Sequence, residues 1–208
     1  MLAYLSWHRA AAGIEPTAYE QALERFHRSL AHQPPSGFRG SSAFRLSNLP
    51  WLAPVAGCAD APGYEDWYLL DDWTAVGVLE EAAVAHGHRT AHDTIAGRAG
   101  CATGSVYRLV EGHARPARPA GGSSPDAGES DPAVWVKRTP GHEHPSLCAL
   151  LGDGMDRERD GLWRRCIGLG PAPEYCLLAA ESAVGVAPSR LPAGWVAQTI
   201  ERAVVWHG

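Results

Sequence analysis

The sequence is short of the features that would announce a function outright. Net charge at pH 7 is only −5 over 208 residues, so the clustered lysine and arginine footprint of a nucleic-acid binder is missing. No run approaches the roughly 18 apolar residues that a membrane-spanning helix requires. The opening stretch MLAYLSWHRAAAG has neither a basic segment nor an apolar one of the signal-peptide kind, so no secretory leader is expected. Five cysteines (Cys58, Cys101, Cys148, Cys166 and Cys176) are scattered without CxxC spacing. That argues against a zinc knuckle or a disulfide framework and fits reduced thiols in a cytoplasm. Nucleotide and hydrolase motifs are missing too. Gly100-Cys101-Ala102-Thr103-Gly104 lacks the Lys-Ser/Thr ending of a phosphate loop, Gly168-Leu169-Gly170 runs into proline, and there is no GxSxG.

What is present is an ordinary globular composition, 45% hydrophobic and 20% charged, sufficient for one large domain or two closely packed halves. Eight tryptophans and ten histidines are many for this length. Ala3 to Arg9 alternates as a strand does, with Ala3, Leu5 and Trp7 on one face and Tyr4, Ser6 and His8 on the other. After Pro16 the period becomes 3.6: Tyr19, Ala22, Leu23, Phe26 and Leu30 form a helical stripe that ends before Pro34-Pro35. Phe38–Leu46 and the aromatic run Tyr64–Asp72 read as strands. Thr74–Ala85 reads as a helix capped by Asp72 or Thr74, and a second helical piece spans Thr90–Ala99. Gly100 and Gly104 bracket an expected turn before a strand at Ser105–Glu111.

Residues 113–132, HARPARPAGGSSPDAGESDP, carry no apolar periodicity and read as a flexible linker between segments 1–112 and 133–208. The second segment repeats the order loosely. A strand is expected at Ala133–Arg138, a short helix at Pro145–Leu151, strands at Leu162–Leu169 and Glu174–Glu181, and a closing strand at Gln198–Trp206.

A βαββαβ unit followed by a looser copy resembles the ferredoxin-like dimeric α+β barrel proteins, in which two such units pair sheet to sheet. The resemblance covers most of the chain and rests on element order. It implies an α+β fold of tandem ferredoxin-like units, with antiparallel sheets packed as a barrel and a site between a sheet and its covering elements. The group holds cofactor-free monooxygenases, isomerases, dehydratases and haem-binding enzymes, and its units come from two chains or from one duplicated chain. A homodimer is therefore one expectation, and fold alone does not choose a function.

Face parity selects the candidate site. If the apolar strand faces cover the helices, Leu5, Trp7, Phe38, Phe44, Tyr107 and Leu109 point that way. Tyr4, Ser6, His8, Arg39, Arg45 and Arg108 then gather on the opposite, cavity-facing side. Guanidinium groups match a carboxylate or phosphate. The competing reading pairs these arginines with Glu65, Asp66 or Asp71. His8 is the residue best suited to acid–base work, because imidazole titrates near neutral pH and a strand holds it rigidly; otherwise it is a hydrogen-bonded structural histidine. Tyr4 and one of Trp67 and Tyr68 would wall the cavity. His27 reads as a core-edge histidine. Asp66 and Asp72 share one face, as do Glu65 and Asp71, but each pair is too widely spaced for a carboxylate dyad. His142 with His144, or His88 and His92 with Asp93, have spacings that admit a metal, though they fall at loops and helix ends.

The expectation is a cofactor-independent enzyme that binds a small aromatic or carboxylate-bearing metabolite in the cytoplasm. Its base would be His8, with Tyr4, Arg39, Arg45, Trp67, Tyr68 and Arg108 binding substrate, and with no metal, nucleic acid or membrane involved. The alternatives are a non-catalytic assembly protein that uses exposed tryptophans and a haem-binding barrel protein, for which no CxxCH motif exists.

Overall fold

The structure is a computed structural model and describes residues 1–52, 62–85, 87–114, 132–138, 155–168, 170, 172–178, 191 and 193–208. In chain order, the first segment supplies β1 (Leu2–Ala10), α1 (Pro16–His32), β2 (Phe38–Leu46), β3 (Gly63–Leu70), α2 (Trp73–Ala83), α3 (Arg89–Ala96) and β4 (Ala99–Gly112). The second supplies β5 (Ala133–Arg138), β6 (Gly161–Gly168), β7 (Tyr175–Leu178), β8 (Trp195–Ile200) and β9 (Arg202–His207). Most of the expected linker and the expected helix at 145–151 lie outside the described residues, as does the end of the strand expected at 174–181. Among the described residues no helix is long and apolar enough to cross a membrane.

Local chemistry places the helices. Pro16 opens α1, whose buried stripe is Tyr19, Ala22, Leu23, Phe26, His27 and Leu30. Asp72 caps α2 by accepting a 3.0 Å hydrogen bond from the Ala75 amide. The turn expected at Gly100–Gly104 is instead the first part of β4. Gly104 is small for a packing reason: a Cβ there would come within 2.7 Å of the Tyr4 hydroxyl.

All the strands join one antiparallel sheet in the order β8-β5-β7-β6-β4-β1-β3-β2-β9. The sheet curls strongly. Trp7 on β1 and Trp135 on β5 lie four strand positions apart, about 19 Å in a flat sheet, yet their ring centroids are 5.4 Å apart. Chain continuity tells the same story. β8 and β9 occupy opposite ends of the strand order, yet only Glu201 separates them. The extended segment 195–207 therefore pairs with β5 through its first half and with β2 through its second. The Ser47 amide donates to the Glu201 carbonyl at 2.9 Å where the partner changes.

Inside the curl lies a core of Leu5, Trp7, Phe44, Trp67, Tyr107, Trp135 and Trp163, with Trp51 packed against it. Edge-on pairs such as Trp7–Trp135 and Trp67–Trp163 add about 0.5–1.5 kcal/mol each beyond burial. The helices lie on the other side of β1 to β4, over Leu2, Tyr64, Tyr68, Leu70 and Val106. This inverts the expected face assignment. Leu5, Trp7, Phe44, Tyr107 and Leu109 do share a face, but it lines the barrel interior, and Phe38 packs with the helices instead. Alternation separates two faces; it does not say which one the helices take when both are apolar.

One buried ion pair bridges the closing strand and the middle of the sheet. Arg202, at the start of β9, contacts Glu65 of β3 at 3.2 Å, and both side chains are fully buried. Trp7 and Trp67 donate to the same carboxylate at 2.8 and 2.6 Å, and the guanidinium lies 4.1 Å from the Phe44 ring centroid. Burial pushes the Glu65 carboxyl above its ordinary value, while Arg202 and the indole donors pull it back. Removing one member strands the other charge, so Glu65→Gln and Arg202→Met should each cost about 3–5 kcal/mol in urea unfolding, and the double variant less than their sum. Single-variant losses under about 1 kcal/mol would show that the pair does not hold the closure.

Candidate active site

The residues of the other face of β1 and β3 build a second buried polar network. Alternation carries His8 and Asp66 to the helix side of the sheet, and the β1–β3 register sets Ser6 opposite Asp66 and His8 opposite Tyr64. His8 Nε2 meets Asp66 Oδ2 at 3.0 Å. A carboxylate only accepts, so this nitrogen carries the proton; in the neutral ring Nδ1 then accepts from the Tyr19 hydroxyl of α1, 2.7 Å away. Tyr68 donates to the same Asp66 oxygen at 3.2 Å. His27, also from α1, brings Nε2 to 3.5 Å from Asp66 Oδ1, a charge contact longer than a good hydrogen bond. Its Nδ1 lies 2.8 Å from Ser41 Oγ on β2, and its ring stacks on Tyr68 at 5.1 Å.

The electrostatics follow from this geometry. Burial by itself would raise the Asp66 carboxyl, but the facing His8 and His27 imidazoles reverse that and hold it well below the usual carboxylate range. The phenols move the other way. Burial, then the charges of Glu80 and Asp66, push Tyr4 up to about 12. Burial, then Asp66, also drive Tyr19 and Tyr68 well above their ordinary value. At neutral pH the site is therefore an ionised carboxylate ringed by imidazoles and protonated phenols.

This network borders a cavity of about 220 Å³ between the sheet and the three helices. Tyr4, His8, Tyr19, Asp66 and Tyr68 supply its polar wall; Leu23, Phe26, Leu79 and Ile95 supply its apolar one, and Glu80 and His92 complete the lining on the helix side. Of the seven site residues expected from sequence, Tyr4, His8 and Tyr68 come together here. Trp67 is buried on the opposite face, bonded to Glu65. The three arginines lie outside this cavity. Arg39 makes a two-pronged pair with Asp71 at 2.6 and 2.8 Å, Arg45 pairs with Glu20 at 3.1 Å, and Arg108 is exposed.

Asp66, Tyr19 and His27 were not foreseen as site residues. The available signal was a carboxylate in the middle of an aromatic run buried at every position, where an acid stays only if it is paired. Among the described residues no group of three or more His, Cys, Asp and Glu is arranged to hold a metal ion. His88 turns to Ser29 and His92 to Asp93, while His86, His142 and His144 lie outside the described residues. Haem also fits this cavity poorly. Both ring nitrogens of His8 already face protein partners, His92 Nδ1 faces Asp93, and the volume of about 220 Å³ is below the ~300–1,000 Å³ of usual cofactor sites.

Because Asp66 titrates lower in the folded than in the unfolded chain, its stabilisation is complete above its unfolded value of about 3.9 and drains away as pH falls below it. The wild-type protein should lose stability steadily from about pH 5 downward. Asp66→Asn should be less stable by about 3 kcal/mol at pH 7, with a flatter acid limb, as read by urea unfolding across pH. An unchanged acid limb would show that Asp66 is not held in this way.

No family model and no curated protein matches the sequence. Solved structures do match. An anthrone oxidase-like protein aligns over 100% of this chain and 92% of its own, with a TM-score of 0.55 and 13% identity. A candidate monooxygenase from Lactobacillus acidophilus NCFM aligns over 100% and 95%, with a TM-score of 0.51 and 9% identity. Both are α+β barrel proteins. At such identities the likeness is one of fold, and the chain is an α+β protein with a curled antiparallel sheet of that kind.

Proposed function

We propose that the protein is a cofactor-independent enzyme that removes a proton from a small aromatic metabolite bound between the sheet and its helices, with His8 as the base. One observation carries the reading: His8 borders a ring-sized, largely apolar cavity with one nitrogen oriented by a buried carboxylate and the other turned to a cavity phenol. Asp66 fixes the tautomer and would steady the imidazolium that forms on proton uptake. Tyr19, whose one O–H faces His8 Nδ1, would pass that proton to the imidazole as its oxygen takes the proton leaving the substrate, so the phenol is protonated before and after the step. Tyr4 offers a donor to the oxygen on which charge develops, while the Tyr68 hydroxyl stays on Asp66.

The chemistry suits a substrate whose C–H is acidified by a neighbouring ring and carbonyl. The resulting carbanion is open to dioxygen, which fits the names of the anthrone oxidase-like and candidate monooxygenase neighbours. A carboxylate-bearing substrate has less support, because the arginines expected to orient it are engaged or exposed elsewhere. We read the architecture as two tandem ferredoxin-like units. Numbered within each half, β4-β1-β3-β2 and β8-β5-β7-β6 follow the same order, fourth-first-third-second. Each half also ends on a strand that crosses to the other half, through β4–β6 and β9–β2.

The test uses 2-tetralone, a neutral two-ring ketone with an acidic benzylic C–H, and follows its exchange in D2O by proton NMR. The wild-type protein should accelerate exchange over buffer, and His8→Gln should lose about 10²-fold or more of that acceleration. Tyr19→Phe should lose less, since it removes the relay and not the base. No acceleration by the wild-type protein, or full activity in a folded His8→Gln variant, sinks the assignment.

A further inference from the structure

Several features outside the acid–base network were weighed for a second role. The groove between α1 and β9 is lined by Glu20, Glu24 and Arg45, but its cation is already paired with Glu20. The barrel interior holds Trp51, Trp135 and Trp163 with unpartnered indole N–H groups, but among the described residues these indoles are packed against one another and their neighbours in the core. The charge balance around the cavity carries an inference furthest.

Each imidazole bordering the cavity already faces a carboxylate: His8 faces Asp66 and His92 faces Asp93. Among the described residues no lysine or arginine lines it. Glu80, on α2, also lines it and has no ion-pair partner among the described residues. Its charge reaches the cavity, where it contributes to raising the Tyr4 hydroxyl. An anionic ligand would therefore leave water for a space that offers no uncommitted cation and one unmatched negative charge. A neutral ligand with a hydroxyl or carbonyl would instead meet the protonated Tyr4 phenol as a donor and the Tyr19 and Tyr68 oxygens, whose own protons go to His8 and Asp66, as acceptors. Size points to the same class. An apolar cavity of about 150 Å³ accepts benzene, so about 220 Å³ suits two fused rings with a polar substituent.

We propose that this cavity selects uncharged, hydroxyl- or carbonyl-bearing fused aromatics and rejects aromatic carboxylates, with Glu80 as the specificity-determining residue. The inference rests on reading the cavity as the substrate site but not on any step of catalysis. It also accounts for an acidic side chain on the rim of an otherwise apolar helical wall, where α2 presents Leu79 and Ala83 beside Glu80.

The test is isothermal titration of the full chain at pH 7 with 1-naphthol, which is uncharged, and with 1-naphthoate, which is ionised and of similar size. The wild-type protein should bind 1-naphthol about tenfold or more tightly than 1-naphthoate. Glu80→Gln should bring the two within about threefold, and Glu80→Lys should reverse the order. Glu80 is exposed, so these variants should fold, which circular dichroism checks. Equal or tighter binding of 1-naphthoate by the wild-type protein overturns the selectivity. A preference for 1-naphthol that survives both substitutions overturns the role of Glu80. Failure of both ligands to bind overturns the cavity as an aromatic site, and with it the reading on which this one rests.

Discussion

Strand β3 is buried on both faces and carries two adjacent acids, Glu65 and Asp66. Strand geometry sends consecutive side chains to opposite sides, so each acid must find its own partners in its own compartment. Glu65 finds Arg202 and two indoles inside the barrel; Asp66 finds two imidazoles and a phenol under the helices. Leaving either charge unpaired in such a place would cost several kcal/mol. The two networks therefore fix what can surround β3. One ties the last strand to the middle of the sheet, and the other ties α1 to β1, β2 and β3.

That arrangement gives the site its rigidity. His8 and Asp66 stand on adjacent strands, and their partners His27 and Tyr19 stand on one helix, eight positions apart and on its buried stripe. Stacked rings reinforce the hydrogen bonds: His8 lies on Tyr64 at 5.7 Å and His27 on Tyr68 at 5.1 Å, both nearly parallel. An imidazole held this way has little conformational freedom left to lose, as the proposed proton transfer would need. Burial raises carboxyl and phenol alike; the carboxylate ends low because the His8 and His27 imidazoles face it, and the phenols stay high because their neighbour is that carboxylate.

The strands and helices of the first half were legible because their periods are clean. The stripe from Tyr19 to Leu30 and the alternation in Phe38–Leu46 both lie within the observed elements. The grouping of His8 with Tyr4 on one face of β1 was legible for the same reason. The choice of helix side was not, because the Trp7 face and the Tyr4 face of β1 are both apolar enough to pack. Asp66 was hidden by comparison along its own strand, where Asp72 is too far to share a proton, when its partners come from β1 and α1 instead. The arginines misled in the usual way of long surface side chains. Arg39 pairs across the surface with Asp71, as the competing reading had it, and Arg45 pairs with Glu20 of α1, a partner that a strand pattern does not contain. The early start of β4 was masked by two glycines, of which Gly104 leaves room for Tyr4 and does not break the strand.

Closure by the segment 195–207 bears on how the barrel relates to the site. In a curled sheet the two edge strands expose unpaired backbone groups unless something covers them. Here one extended segment pairs with β5 and then with β2, so a single chain occupies both ends of the strand order. Closing the barrel therefore calls on no second chain, whatever the protein's assembly. The inward curl crowds the tryptophans of five different strands and loops into one core. The cavity lies on the outer face, bordered by α1, α2 and α3 and by Ala99 and Ala102 of β4. The bulk of the barrel core and the position of the cavity are thus two results of the same packing, one face filled by indoles and the other bridged by helices.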